Sequence, residues 1–241
     1  SYTDPHRYSQ QDADILMAVS EQVALAIDRK TEEQRRKESE TITRILYEIS
    51  NSVNMSRNLD EVYKTIHKSI NKGVEANNLF IALHDPKTNL LYFPYYADEF
   101  DDYSNKFQYY LDDNSLSSLV FKAEKTVMLG EEELRTRGGN NQVLGTVPKV
   151  WIGIPLRTKG RIIGILVTQR YSEATLYSDK EVEFLNIVSN QIAVAIDHKR
   201  EEEALLKSEN VNRALVEISN AINITKSLED LYRTIHLSLM K

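Results

Sequence analysis

Cysteine is absent from the 241 residues, and glycine and proline are scarce, at 8 and 5. Without cysteine the chain has no disulfide, thiolate metal site, cysteine nucleophile or thioether-linked cofactor. This composition fits a reducing compartment, and we expect a cytoplasmic location. No stretch approaches the roughly 18 uninterrupted apolar residues of a membrane span, and no signal-peptide pattern follows Ser1. We therefore expect no membrane contact by this chain.

An excess of basic residues is also missing, because the formal net charge is −6 and lysine and arginine are scattered among acids. A basic stripe is the footprint of a nucleic-acid backbone, so we expect no nucleic-acid partner. The chain lacks a Gly-x-Ser-x-Gly elbow, a Walker loop and a His-Glu-x-x-His motif. We expect no enzyme, metal site or cofactor here. Apolar residues make up 41% of the chain, which is enough for a globular core.

An internal repeat is the strongest positive signal. At an offset of 169 positions, residues 22–30 match residues 191–199, and 30 of the 72 overlapping positions are identical. Such self-similarity is typical of a tandem array of domains. We predict that residues 1–37 are the last helix of a preceding repeat with its linker, that 38–200 form a complete domain, and that 201–241 are a linker helix and the first helices of a following repeat.

Two long helices are predicted within this repeat. Residues 9–55 and 178–224 contain neither glycine nor proline and carry apolar residues at helical spacing. Residues 29–40 are almost free of apolar side chains, a pattern typical of a solvated bridge between packed units. The apolar stripes on either side of residues 29–40 have to be buried against another surface. We predict that they pack on sheets and, in part, on a partner chain, giving a homodimer with coiled-coil contacts through the N- and C-terminal helices.

A hairpin and a helix follow one another in the second half of the chain. Residues 150–156 and 162–170 are apolar runs around a short turn segment, which predicts paired strands. Ser178 and Glu181 then have the spacing of a capping box at a helix start. An apolar-Gly-Ile-Pro-Leu strand, an Ile-Gly-Ile-Leu-Val strand and a helix ending Gln-Ile-Ala-Val-Ala-Ile-Asp together resemble the C-terminal half of a GAF domain.

This resemblance implies an α+β fold, with a GAF-like (profilin-like) central antiparallel sheet, helices on one face and long linker helices on either side. GAF domains are sensory modules of signalling proteins, and the other sheet face would line a small-molecule pocket. The lack of cysteine decides against the members that attach a bilin and against the methionine sulfoxide reductases. The Asn-Lys…Phe…Asp-Glu signature of cyclic-nucleotide binders is not kept, since Asn105, Lys106 and Phe107 are adjacent.

The expected ligand site combines aromatic strand residues with a Gly-Asn loop that would fold over the ligand. Residues 98–102 are expected to form a solvated acidic loop, His67 to pack structurally, and His84 to be an isolated histidine at a strand end. By the resemblance, the candidate ligand-binding residues are Tyr95, Phe107, Tyr109, Met128, Asn140, Asn141, Trp151 and Gln169.

Two functional hypotheses follow. The principal one is a non-catalytic regulatory module that senses an unknown small molecule. It would belong to a tandem array in a signal-transduction protein, such as a two-component sensor histidine kinase, and pass the ligand state through continuous helices to the output domain. The alternative is a ligand-free structural GAF domain that acts as a dimerisation or spacer module.

Overall fold

The computed structural model describes residues 9–101, 108–111, 114–139, 143 and 145–224. It divides into two units with the boundary between Arg44 and Ile45. Helix α1 (Gln10–Met55) begins in the first unit. There the Ser9 hydroxyl accepts from the Asp12 amide, and the Asp12 carboxylate accepts from the Ser9 amide at 2.8 Å, which is a reciprocal N-terminal cap.

The middle of α1 is polar, as its sequence predicts. The Glu33 carboxylate pairs with Lys37 at 2.6 Å and with Lys30 at 3.7 Å, and all three side chains are exposed. Pairs at this spacing add only a few tenths of a kcal/mol each to a helix. They fit a segment that is surrounded by solvent.

The second unit contains the rest of α1 and all the other elements. In chain order these are α2 (Leu59–Ile70), β1 (Asn78–Asp85), β2 (Leu90–Ala97), β3 (Gln108–Tyr110), α3 (Leu116–Ala123), β4 (Val127–Leu129), α4 (Glu131–Gly139), β5 (Val150–Thr158), β6 (Arg161–Arg170) and α5 (Asp179–Ile224). Helix α2 begins at the cap Asn58, whose side chain accepts from the Glu61 amide. Helix α5 begins at the capping box predicted for Ser178 and Glu181.

One antiparallel sheet holds the six strands in the order β3-β2-β1-β6-β5-β4. The predicted hairpin is the β5–β6 pair, joined by Lys159 and Gly160 with φ values of 51° and 75°. Two successive residues with positive φ make a type I′ turn, whose twist matches that of the strands it connects. The predicted α+β fold with a central antiparallel sheet and two long helices is confirmed.

The sheet has two faces with different cover. On one, here called the helix face, β2, β5 and β6 pack against α2 and α5. On the other, here called the loop face, α3 and α4 close over strand side chains. The loop-face cluster comprises Phe80, Ala82, Phe93, Leu116, Val120, Leu129, Leu134, Trp151, Ile165 and Val167.

A β-bulge in β2 changes which tyrosines reach which face. Ile81 pairs with Tyr95 and Leu83 pairs with Tyr92, so β2 has one residue more than β1 across this step. Pro94 lies within the bulge, where the missing amide hydrogen costs no ladder bond. As a result Tyr92 and Tyr95 both point to the helix face although they are three residues apart, and alternation along the strand is interrupted.

Candidate functional site

The floor of the loop face is aromatic and closely packed. Phe80 stacks on Tyr96 with ring centroids 5.3 Å apart and an interplanar angle of 12°, and its ring also meets Phe93 at 5.5 Å. Trp151 is 2% exposed. A Cβ on Gly153 would overlap the Trp151 indole and the Val120 side chain, so the chain gives this space to the indole.

A polar cluster ends this aromatic floor, where β6 leaves the sheet. Gln169 pairs with Trp151 across β5 and β6 and therefore points to the loop face. Its Nε2 donates to the Asp98 carboxylate at 2.6 Å and to the Tyr171 hydroxyl at 2.7 Å. The Tyr171 hydroxyl donates in turn to the same carboxylate at 3.0 Å. Asp98, Gln169 and Tyr171 are here called the Asp98 cluster.

The Asp98 carboxylate accepts hydrogen bonds from the backbone as well as from side chains. Besides the two side-chain donors, it accepts from the amides of Phe100 at 2.9 Å and Asp101 at 3.1 Å. Burial, and then the neighbouring Asp98 carboxylate, raise the pKa of Tyr171 well above its ordinary value. Tyr171 thus keeps its proton and remains a donor at any physiological pH.

A small polar cavity of about 70 Å³ lies beside the Asp98 cluster. Asn78, Glu99, Gln169 and Tyr171 are among the residues that line it. Asn78 is 5% exposed, and its Oδ1 accepts from the Glu99 amide at 2.9 Å. The volume suits a small polar group or a few water molecules rather than a whole drug-sized ligand.

Asp101 joins the two chain segments that border this region. Its carboxylate accepts from the Thr146 amide at 2.8 Å and from the Thr146 hydroxyl at 3.2 Å. The segment that follows β2 and the segment that precedes β5 are therefore fastened together. Because Asp98 and Asp101 flank two exposed residues, one short acidic turn binds both β6 and the approach to β5.

Arg170, directly after Gln169, reaches the start of α5. Its Nη2 donates to the Glu181 carboxylate at 2.7 Å, and its guanidinium carbon lies 4.0 Å from the Tyr177 ring centroid. Burial opposes ionisation of Glu181, but the Ser178 amide and hydroxyl together with Arg170 hold the pKa of Glu181 below its ordinary value. The last two residues of β6 thus bind two different parts of the chain. Gln169 binds Asp98 in residues 98–101, here called the loop segment, and Arg170 binds the first turn of α5.

The structure separates the predicted ligand-binding residues. Trp151 and Gln169 lie together on the loop face. Met128 pairs with Ile152, the neighbour of Trp151, and so faces the helices rather than the loop face. Tyr95 also faces the helices. Met128 and Tyr95 therefore do not lie on the loop face, where the resemblance predicts the ligand pocket.

The other four predicted residues lie at the edge of the sheet or outside the described residues. The backbone of Tyr109 pairs with Leu91 in β3 and β2, which places residue 109 at the edge of the sheet. Phe107, Asn140 and Asn141 lie outside the described residues. Their role in binding stays a prediction.

The histidines have structural partners. His67 Nε2 lies 2.8 Å from the Ala76 carbonyl, so this nitrogen carries the hydrogen, and His67 Nδ1 accepts from the Tyr95 hydroxyl at 2.7 Å. Burial lowers the pKa of His67, partly offset by the bond to Ala76. His84 Nε2 lies 3.0 Å from Asn89 Oδ1. Within the described residues no group of three metal-ligating side chains occurs.

Asp98 and Tyr171 were not among the expected site residues. A solvated acidic loop was expected at residues 98–102, whereas Asp98 is half-buried among four donors. A signal for Tyr171 exists in the sequence, because residues 167, 169 and 171 share one side of an extended strand. No local signal identifies Asp98 as a site residue, because its side-chain partners, Gln169 and Tyr171, are more than 70 positions away.

The fold and its site define a class of protein: an α+β module whose sheet carries α2 and the first half of α5 on one face and aromatic residues covered by α3 and α4 on the other. Residues 56–197 match the family model described as GAF domain. This match covers more than half of the chain, and the chain belongs to the GAF domain family. A comparison of the sequence with curated proteins gives no match.

Solved structures share the fold at low sequence identity. The GAF domain of an Acinetobacter phosphoenolpyruvate-protein phosphotransferase aligns with a TM-score of 0.57 and 18% identity, over 70% of this chain and 98% of that one. The corresponding domain from Coxiella burnetii gives 0.55 and 21%, over 68% and 97%. Residues 122 to 287 of a methyl-accepting chemotaxis protein give 0.54 and 18%, over 65% and 99%.

Within the described residues no helix is long and apolar enough to cross a membrane.

Proposed function

We propose that this chain is a regulatory, non-catalytic GAF module that senses a small molecule and belongs to a tandem array in a signal-transduction protein. The ligand state passes through continuous helices to an output domain, for which a histidine kinase is the expected kind. Membership of the GAF family supports the sensory role. The internal repeat at an offset of 169 supports the array, since α1 and α5 begin at equivalent positions, Gln10 and Asp179.

One observation carries the proposal: two consecutive residues of β6 connect the loop face to helix α5. Gln169 binds the Asp98 carboxylate, and Arg170 binds Glu181 in the first turn of α5. Neighbouring strand residues point to opposite faces. A ligand that draws the loop segment toward the sheet therefore acts on the residue adjacent to the one that holds α5.

The chemistry of the loop face suggests the kind of ligand. Aromatic side chains form its floor, and the amide of Gln169 and the hydroxyl of Tyr171 stand at one end. A planar molecule with a polar edge would stack on the floor and exchange hydrogen bonds with the Asp98 cluster. In this proposal Phe107, Tyr109, Asn140 and Asn141, which the resemblance predicts as ligand-binding residues, also contact the ligand.

Helix α5 has the length to carry the signal out of the domain. Its first half is buried on the sheet, with Leu185, Val188 and Ile192 fully covered. Its second half, after Lys199, exposes Leu205, Leu206, Val211, Leu215 and Val216 at 51–62%. These residues support a homodimer in which the second halves of two α5 helices pack together. The transmitted change would be a shift in that packing.

A ligand screen followed by a coupling variant tests this function. Thermal unfolding is measured with nucleotides, amino acids and aromatic acids, and a ligand that binds the folded domain is expected to raise Tm further as its concentration is increased above its Kd. Gln169→Leu should abolish the rise. Arg170→Met should keep it but remove the accompanying change in α5, measured by a spin label on a cysteine introduced at exposed position 208 of the cysteine-free chain.

The outcomes separate the steps of the proposal. If no compound raises Tm, sensing by this domain is refuted. If a ligand binds and the distance between the labels of two protomers stays the same in the parent chain, transmission through α5 is refuted. A label change that persists in Arg170→Met would refute the route through Arg170.

A ligand-free spacer is the second candidate, and the packing of the loop face favours it. Trp151 is 2% exposed and Phe80 8%, so the chain's own side chains already bury the aromatic floor. A spacer would show no Tm rise in the screen, yet would still dimerise through its helices. The two functions therefore differ in the first measurement.

A further inference from the structure

An apolar stripe on the first half of α1 is exposed, although its sequence is that of a buried face. The residues Ile15, Leu16, Val19, Val23 and Ile27 are 51–58% exposed. At the offset of 169 their counterparts are Phe184, Leu185, Val188, Ile192 and Ile196 of α5, all 0–7% exposed on the helix face of the sheet. Residues 10–30 of α1 are here called the α1 segment, and residues 179–199 the α5 segment.

The positions at which the two segments have the same residue are mostly the positions that are buried in the α5 segment. Ten of the 21 residues of the α5 segment are buried, and eight of these ten are identical in the α1 segment. Of the other eleven residues, one is identical, Gln191 with Gln22. A repeat that only preserved helix propensity or solubility would keep no such distinction between faces. The shared pattern is therefore the one that packs against a sheet.

A charged residue belongs to this shared face. Asp197 is 7% exposed, and its carboxylate lies 3.2 Å from Lys159 Nζ and 3.5 Å from Arg161 Nη2 at the β5–β6 turn. These ion pairs fasten the hairpin to α5. The α1 segment has Asp28 at the equivalent position, where it is exposed. A buried carboxylate on a sheet-covering helix requires a basic partner, so the cover for Asp28 has to carry one.

We propose that the α1 segment is the covering helix of another GAF-type antiparallel sheet, which precedes α1 in the same polypeptide and carries a basic residue at the hairpin turn facing Asp28. This inference rests on the part of the proposed function that places GAF units in series. It adds which face of α1 packs against the sheet of the preceding unit, and that the hairpin turn of that sheet carries a positive charge. A second copy of this chain is the competing occupant.

The test transplants the α1 segment onto the sheet present in this chain. In the first chimera residues 179–199 are replaced by residues 10–30, which restores every buried position except Phe184→Ile and Ile192→Val. In the control chimera the same positions receive residues 12–32. A shift of two positions turns the apolar stripe by about 200° around the helix axis at almost unchanged composition.

The first chimera is expected to unfold cooperatively, with Tm lowered by no more than about 10 °C for the two smaller side chains. The control chimera is expected to lose cooperative unfolding and to bind a hydrophobic dye. Asp→Asn at position 197 should lower Tm by the same amount, to within about 2 °C, in the parent chain and in the first chimera. Equal losses in Tm are expected only if the transplanted aspartate forms the same ion pairs with Lys159 and Arg161.

Three results would overturn the inference. One is a first chimera that fails to fold, because the α1 segment then does not cover a GAF-type sheet. Another is a control chimera as stable as the first, because the face then does not matter. The third is a dimer of the unaltered chain that Val19→Asp with Val23→Asp dissociates, which would assign the face to a second copy. None of these measurements involves a ligand, so the sensing proposal stands or falls separately.

Discussion

The Tyr171 hydroxyl is the most informative single group to remove from the Asp98 cluster. Tyr171→Phe deletes one oxygen atom that donates to the Asp98 carboxylate at 3.0 Å and accepts from Gln169 at 2.7 Å. The ring stays in place, and its contact with Phe100, at a centroid distance of 4.5 Å, is retained. Any effect is therefore due to the hydrogen bonds.

The expected loss can be worked out from the partners that remain. A hydrogen bond to a charged group contributes about 1.5–3 kcal/mol. Asp98 keeps three donors, from Gln169, Phe100 and Asp101, and is only half-buried, so the loss falls at the low end. We expect the free energy of unfolding to decrease by about 1–2 kcal/mol, which corresponds to a fall in Tm of about 2–8 °C for a domain of this size.

Urea unfolding of the variant and of Tyr47→Phe measures this difference. Tyr47 is 65% exposed, so its hydroxyl is hydrated and its removal is expected to change stability by less than about 0.5 kcal/mol. Amide hydrogen exchange should also accelerate at Phe100, Asp101 and Thr146, because the acidic turn loses one attachment to β6. Equal stability of the two variants, with unchanged exchange at these amides, would refute the assignment of Asp98 as the anchor of the loop segment.

Three further predictions address the core, pH and assembly. Gly164→Ala should cost about 3 kcal/mol or more in urea unfolding, since a Cβ there would overlap the Ala82 carbonyl oxygen, whereas Gly139→Ala, with open space around it, should stay within about 0.5 kcal/mol; equal effects would contradict the strand register. Because burial lowers the pKa of His67, the unfolded chain takes up the proton first, so stability should be constant above about pH 6.5 and fall below it until the folded-state pKa is reached; His67→Gln should flatten this dependence and the exposed control His198→Gln should not. Light scattering is expected to show a dimer at micromolar concentration that Leu205→Asp with Leu215→Asp dissociates, and a monomeric parent chain would contradict the proposed assembly.

The long helices and the hairpin could be predicted because their signals are local. Residues 9–55 and 178–224 lack helix breakers, and the observed bounds of α1, Gln10–Met55, and the observed start of α5, Asp179, differ from the expected ones by a residue or less. Capping boxes, the type I′ turn and apolar periodicity all act within a few residues of one another. Their agreement with the fold is a case of local preference matching tertiary structure.

The arrangement of the site depended on features that are not local. The bulge at Pro94 interrupts the alternation of β2, so Tyr95 faces α2, where it bonds His67, rather than the loop face. Met128 lies in a three-residue strand, too short for its own pattern to decide between two faces. The Met128 side chain points to the helix face because Met128 pairs with Ile152 of β5, which is 24 positions away in sequence. Asp98 could not be predicted as a site residue for the same reason, because the side chains that donate to its carboxylate, Gln169 and Tyr171, are distant in sequence.

In the proposed signalling route, the ion pair between Arg170 and Glu181 is one cost of moving the first turn of α5. The Arg170 side chain is 15% exposed and that of Glu181 27%, so their ion pair is only partly shielded from water. Such a pair contributes on the order of 1 kcal/mol. If releasing it is the main cost of shifting the first turn of α5, a ligand needs only about a fivefold preference for the shifted state to balance that cost. Two hydrogen bonds exchanged at the Asp98 cluster would supply such a preference. Weak ligands of the loop face would then be sufficient to signal, and Arg170→Met would shift the helix without any ligand.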